Sequence, residues 1–178
     1  MAETALTKKI KLALYHHTKA HLQGMYGAFE VVMGKNTIGY GNEYVDFLTM
    51  NSDNEFRCYE IKVSKEDLYS NNNLSFYGDF NYLVVPDFLF QDALHFVLER
   101  YGDKTGILLY HESGQKGTKP YFTCGWKPKR QKLPIEQRIA NMHNMIRSGS
   151  RYTTKWVKSQ LPKNTELKCE DIIDILEK

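Results

Sequence analysis

Cysteine is scarce in this sequence, and long apolar runs are absent from it. The 178 residues include three cysteines, Cys58, Cys124 and Cys169, and no C-x-x-C pair. Their wide spacing and odd number argue against a zinc knuckle or a disulfide framework and favour a reducing, cytoplasmic compartment. No stretch approaches the roughly 20 apolar residues of a membrane helix, and the N-terminus lacks a signal-peptide pattern. We therefore expect no membrane partner.

Repeats and low-complexity tracts are also lacking, so the chain does not divide into an array of small units. Hydrophobic residues make up 42% and charged residues 25%, as in ordinary globular proteins. The length fits a single domain. After Trp126 the sequence becomes basic and its pattern predicts helices. We therefore predict a core over residues 1–125 and a basic helical extension over 126–178, packed on or next to that core.

Charge is distributed unevenly along the chain. Residues 1–99 hold 8 Lys and Arg against 13 Asp and Glu, whereas residues 100–160 hold 13 against 3. The last 18 residues are again acidic, with 3 against 5. A basic segment joined to an acidic half indicates a polyanionic partner, although a solvated basic surface explains the same pattern.

Hydrophobic periodicity predicts a mixed α/β fold, with a sheet flanked by helices. We expect helices near 6–24, from Ser64, and over 86–101, 135–147, 153–161 and 167–177. Strands are expected over 29–33, 44–50, 56–63, 80–85, 107–110 and 121–123. The helix from Ser64 has a serine N-cap with acidic residues in its first turn. Phe88, Leu89, Leu94, Val97 and Leu98 form the predicted buried stripe of the helix over 86–101.

The strand RCYEIKV carries two charged residues on one face. Because strand side chains alternate, Tyr59, Ile61 and Val63 should face the core while Glu60 and Lys62 share the other face. A hairpin centred on Asp53 places Asp46 opposite Glu60. Two opposed carboxylates repel, and a divalent cation would offset that repulsion. A surface salt bridge on a wet sheet face is the competing interpretation.

The spacing Asp46…Glu60-Ile61-Lys62 resembles the PD-(D/E)XK nuclease superfamily. The flanking EYVDFL, CYEIKVS and FNYLVVP are similar to the MmcB-like DNA-repair branch, over about residues 25–110. The resemblance implies a restriction-endonuclease-like αβββαβ core.

By the same resemblance, Asp46 and Glu60 would bind Mg²⁺ or Mn²⁺, together with the backbone carbonyl of Ile61, and Lys62 would be catalytic. The superfamily often places a further acid on the first helix. Here that helix has only Glu3, at its start, so Glu30 is the best substitute.

Cations and aromatic residues accumulate after Trp126. Cationic side chains neutralise phosphates, and aromatic rings stack on unpaired bases. The predicted nucleic-acid contacts are Lys65, Lys127, Lys129, Arg130, Lys132, Arg151 and Lys155. Core aromatics beside solvated cations remain the alternative.

Together these features predict a Mg²⁺-dependent deoxyribonuclease, most simply an endonuclease in DNA repair, recombination or phage DNA processing. DNA is the expected partner, with RNA and a homodimer as further options. The alternative is a catalytically inactive nuclease-fold module, or complex subunit, that binds DNA or RNA. Alternation and spacing leave a third reading open, a sheet protein with an incidental ion pair.

Overall fold

A single six-stranded sheet in the order β1-β2-β3-β4-β5-β6 organises the chain. The computed structural model describes residues 4–20, 22–35, 42–70, 74, 76–112 and 119–160. The strands are β1 (Met25–Lys35), β2 (Asn42–Asn51), β3 (Phe56–Ile61), β4 (Phe80–Pro86), β5 (Thr105–His111) and β6 (Tyr121–Trp126). The helices are α1 (Ala5–His17), α2 (Lys65–Leu68), α3 (Phe90–Arg100) and α4 (Ile135–Gln160), with 3₁₀ turns at Asp87–Leu89 and Gly102–Lys104.

The sheet is mixed, and its parallel part gives it a direction. β3, β4 and β5 are parallel neighbours, whereas β1–β2, β2–β3 and β5–β6 pair antiparallel. The parallel strands finish at Ile61, Pro86 and His111, which define the carboxyl end of the sheet. The opposite, amino end is where the same strands begin.

Helices cover both faces of the sheet. α1 buries Ile10 and Leu14 on one face, against residues such as Phe47 and Val84. On the other face α3 packs Phe96 and its neighbours over β4 and β5. α4 contributes Met145 to a third cluster over β1 and β2. The coarse prediction of an α/β sheet flanked by helices is therefore confirmed.

The β2–β3 hairpin has the predicted register. Phe47 pairs with Tyr59 and Leu48 with Cys58, which leaves Asp46 opposite Glu60 one residue further along. The helix start at Ser64 is also confirmed, since the Ser64 side chain accepts a hydrogen bond from the Asp67 N–H. Tyr59 and Ile61 are buried as expected.

Three helical predictions are wrong in detail. Two helices were expected over 135–147 and 153–161, but α4 is continuous, and at its centre the buried Ser148 hydroxyl donates to the carbonyls of Phe29 and Glu30. Phe88 and Leu98 were expected in the buried stripe of α3, yet they are 71% and 47% exposed. The first helix ends at His17 rather than near Gly24.

The helix expected over 167–177 lies outside the described residues. Within the described ranges, no helix combines the length and the apolar character that crossing a membrane requires.

Candidate functional site

A kink in β1 and β2 sets the position of two predicted acids. Phe29 pairs with Phe47 and Val31 with Val45, so Glu30 lies opposite Asp46. In a regular strand Phe29 and Val31 would share a face, but Phe29 packs on the α1 side and Val31 on the α4 side. Glu30 has a positive φ of 50°, a conformation that few non-glycine residues adopt. The strained backbone at Glu30 accompanies this change of face.

Glu60 and Lys62 are buried where β3 ends. They are 6% and 7% exposed. The strand ladder continues past β3, because the Lys62 N–H donates to the Val84 carbonyl at 3.0 Å. The competing interpretation of a salt bridge on a wet sheet face is therefore wrong. A buried ammonium and carboxylate cost stability unless their surroundings compensate them.

Hydrogen bonds link this pair to Asp46 and to α2. The Ile61 N–H donates to Asp46 Oδ2 at 2.8 Å, which ties the carboxylate of β2 to the residue between Glu60 and Lys62. Lys62 Nζ donates to Asp67 Oδ1 at 3.1 Å. Asp67 is itself fixed by the Ser64 cap. The orientation of the Lys62 side chain is thus fixed by its contact with Asp67 of α2.

The pKa values indicate a desolvated, acidic neighbourhood. Burial raises the pKa of Asp46 above its usual value, against the lowering effects of the Ile61 N–H and of the charges on Lys11 and Lys62. Burial also raises the pKa of the Cys58 thiol, and the charges of Glu60 and Asp46 raise it further. Both carboxylates therefore act on the same thiol, as expected if they share one side of the sheet.

Glu30 lies on β1, next to Asp46 on β2 and Glu60 on β3, but it pairs with other residues. Its Oε1 lies 3.3 Å from Lys11 Nζ of α1. Burial would raise the pKa of Glu30, but Lys11, the Tyr152 hydroxyl and the charge of Lys155 together lower it. Neighbouring strands lie about 4.8 Å apart, so the backbones of Glu30 and Glu60 are separated by about 10 Å.

The carboxylates do not form a large cluster. Across the described part of the chain, no group of three or more His, Cys, Asp or Glu side chains could hold a metal ion. Mg²⁺, however, commonly binds through one or two carboxylates and keeps several waters. The oxygen donors of Asp46 and Glu60 fit that requirement.

Sequence reasoning missed three residues that complete this neighbourhood. Lys11 of α1 pairs with Glu30, the hydroxyl of Tyr152 in α4 lowers the pKa of Glu30, and Asp67 contacts Lys62. The sequence places Asp67 in the first turn of α2, just after Lys62, and that position could have indicated the pairing with Lys62. Nothing local marks Lys11 or Tyr152, because both approach from helices distant in sequence.

The predicted nucleic-acid contacts fall into two groups. Arg151 and Lys155 are near the candidate site: Arg151 donates to the Glu30 carbonyl at 2.6 Å, and the charge of Lys155 acts on the Glu30 carboxylate. Lys65, in α2, is exposed and pairs with Asp92 at 2.6 Å. These cations lie towards the carboxyl end of the sheet.

The remaining four cations lie in the loop over 127–134, at the amino end. Lys129 pairs with Asp103, and Arg130 with Glu55 just before β3. Lys127 and Lys132 are exposed. At about 3.3 Å per residue, the length of β3 separates this loop from Lys62 by about 20 Å. Nucleic-acid binding by these four residues stays a prediction, at a place remote from Asp46, Glu60 and Lys62.

Comparison with known proteins gives a fold but no function. No model of a known protein family matches this chain, and no curated protein is similar to it. A solved structure of a protein of unknown function from Silicibacter pomeroyi is similar in fold, with a TM-score of 0.59 and 15% identity. The similarity covers 93% of this chain and 100% of that one. The resemblance to the PD-(D/E)XK superfamily therefore stays an expectation.

Proposed function

We propose that this protein is a metal-dependent nuclease that hydrolyses DNA phosphodiester bonds, in repair, recombination or phage DNA processing. One observation carries the proposal. Glu60 and Lys62 are almost fully buried at the end of β3, and the residue between them is hydrogen-bonded to the Asp46 carboxylate. Burying these charges works against stability, and such arrangements concentrate at functional sites.

The chemistry follows from the three side chains. Asp46 and Glu60 would hold Mg²⁺ or Mn²⁺, and the carbonyl of Ile61 is a further candidate ligand. A bound divalent cation supplies Lewis-acid polarisation of the phosphate and lowers the pKa of an attacking water. Lys62 orients that water and stabilises the negative charge that develops on phosphate oxygens. Asp67 holds the Lys62 ammonium in place, so it is a positioning residue.

Cleavage assays with matched variants test this proposal. Single-stranded, duplex and branched DNA are incubated with Mg²⁺, with Mn²⁺ or with EDTA. Glu60→Gln and Lys62→Met keep the side-chain volume and should each lower cleavage a hundredfold or more, roughly the loss of one transition-state contact. Glu99→Gln and Lys104→Met change exposed residues away from the site and should cleave as the wild type does. Metal-dependent cleavage that survives both site variants would contradict the assignment.

Metal binding gives a readout that does not need activity. A ligand that binds the folded state raises Tm by mass action. We expect millimolar Mg²⁺ to raise the Tm of the wild type and of Glu99→Gln, and to leave that of Glu60→Gln unchanged. An equal shift in all three proteins would mean that the ion binds elsewhere.

A second candidate function is a module of this fold that binds nucleic acid without cleaving it. The pairing of Glu30 with Lys11 favours it, because a carboxylate already paired with an ammonium is a weaker third ligand for a metal beside Asp46 and Glu60. This candidate predicts salt-dependent DNA binding that Mg²⁺ does not change, and no cleavage of any DNA form.

A further inference from the structure

The last four turns of α4 carry an unusual set of exposed side chains. Arg147, Arg151, Lys155 and Lys158 are all exposed and recur at intervals of four, four and three residues. Residues at that spacing lie on one face of a helix, and we call these four the cationic stripe. At 1.5 Å per residue it is about 16 Å long. Helix propensity gives no reason to line up four like charges, which repel one another.

An aromatic pair lies on the neighbouring face. Tyr152 and Trp156 are one turn apart and are 40% and 53% exposed. Lys155 joins the two faces, since its Nζ lies 5.5 Å from the centre of the Tyr152 ring. The Tyr152 hydroxyl lowers the pKa of Glu30, so it lies near that carboxylate, and Trp156 continues this face one turn further along α4. The half-exposed indole of Trp156 therefore presents an aromatic ring to solvent beside the cationic stripe.

The cationic stripe also borders a groove whose lining is part apolar, with Val32, Met33 and Ile146, and part polar. A cavity of about 750 Å³ lies between α4 and the end of β1, lined by Arg147, Arg151, Ser150 and Asn144 among others. Arg151 reaches from this groove to the Glu30 carbonyl, directly across the strand pair from Asp46. Positive charge is therefore continuous from the groove to the edge of the candidate site.

We propose that the end of α4 binds an unpaired nucleic-acid strand, with phosphates on the cationic stripe and a base stacked on Trp156. Charge complementarity selects a polyanion, and the exposed aromatic pair selects bases that are free to stack. A duplex offers phosphates but keeps its bases stacked inside. That this strand is the substrate rests on the proposed function, whereas the binding does not.

Tryptophan fluorescence tests the binding directly. The sequence has two tryptophans, and Trp126 lies on β6 at the amino end of the sheet. Trp126→Phe leaves Trp156 as the sole reporter. With EDTA present to prevent cleavage, oligo-dT and oligo-U should quench its emission, and a duplex of equal length at equal concentration should not. The two oligomers separate DNA from RNA. An anionic vesicle that quenches better than either oligomer would point to a membrane surface and overturn the proposal.

Affinity measurements on matched variants complete the test. Trp156→Ala should weaken oligo-dT binding about tenfold, the usual loss for one stacked base, while Trp126→Ala changes it less than twofold. Lys158→Ala should lower the slope of log K against log salt by about 0.7, as expected for one phosphate contact on a single strand. Equal losses in the two tryptophan variants, or tighter binding of duplex than of single strand, would refute the proposal.

The two proposals fail in different ways. Strand binding in EDTA that depends on Trp156, combined with no cleavage in Mg²⁺ or Mn²⁺, would reject the nuclease and keep the binding surface. Cleavage that requires Glu60 but ignores Trp156→Ala and favours duplex would do the opposite. Sedimentation completes the comparison: a dimer that Trp156→Ala converts to monomer would mean that a second copy of the chain covers this face.

Discussion

The two ends of the sheet use buried charge in opposite ways. At the amino end, Asp79 is fully buried, and both of its oxygens accept hydrogen bonds from the Arg138 guanidinium, one at 2.6 Å. Its Oδ2 also accepts from the Phe56 N–H. At the carboxyl end, burial raises the pKa of Asp46. The Asp79 carboxylate therefore stabilises the fold through its pairing with Arg138, whereas burial of the Asp46 carboxylate costs some stability.

The difference has a structural reason. Asp79 meets a planar guanidinium, whose paired N–H groups match a carboxylate in a way that an ammonium cannot. Asp46 accepts from one backbone N–H, and the charges of Lys11 and Lys62 act on it without cancelling the effect of burial. The Asp46 carboxylate therefore lacks the bidentate partner that Asp79 has. Buried charge is therefore informative about function only when its partners are examined.

The largest effect is expected from breaking the amino-end pair. Arg138→Ala leaves the Asp79 carboxylate buried without its guanidinium, and we expect a loss of about 3 kcal/mol in the free energy of unfolding. Urea denaturation measures it. Arg130→Ala is the matched control, because Arg130 is 61% exposed and 3.7 Å from Glu55, a pair worth under about 1 kcal/mol. Equal losses in the two variants would remove the distinction between the ends.

An intermediate effect of opposite sign is expected at the carboxyl end. Asp46→Asn keeps an oxygen to accept from Ile61 and removes the ionised carboxylate, so it should stabilise the fold by about 1 kcal/mol at pH 7. Since the pKa of Asp46 is raised in the folded state, the wild type loses stability as pH rises through that pKa. The advantage of Asn should therefore grow with rising pH and vanish below about pH 4. Thermal denaturation across pH measures it, and a destabilised Asn variant would show that Asp46 resembles Asp79.

The smallest effect is expected from the loop over 127–134. Lys127→Ala with Lys132→Ala removes two exposed cations about 20 Å from Lys62. If a short strand binds on the cationic stripe, the double variant should change oligo-dT affinity less than twofold at 0.15 M salt. Filter binding with a strand of about ten nucleotides measures it. A tenfold loss would instead extend the nucleic-acid interface to the amino end, as the sequence pattern predicts.

Local patterns carried much of the fold and the central part of the site. The alternation in FRCYEIKV and the turn at Asp53 are enough to derive the register that places Asp46 opposite Glu60. The serine cap before α2 was equally readable, because an N-cap depends on neighbours in sequence.

What could not be predicted depends on contacts between distant segments. α4 continues through Ser148 and Gly149, where the Ser148 hydroxyl donates to carbonyls of β1, and a helix pattern alone contains no such partner. The positive φ of Glu30 and its change of face also require β2 and α4 to be in place. Phe88 was predicted to be buried because an α-helical period was applied to it. It lies instead in the 3₁₀ turn before α3, where side chains point in other directions than the α-helical period predicts.

The contact between Ser148 and Phe29 joins residues 119 positions apart in the chain. Contacts of such separation close late in folding, because a long loop must first lose its conformational freedom. During synthesis, Asp46, Glu60 and Lys62 leave the ribosome well before α4 exists. The paired strands can thus form while the basic helix that borders Glu30 is still missing. A nascent chain would consequently contain its acidic residues before the basic helix α4 can pack beside Glu30.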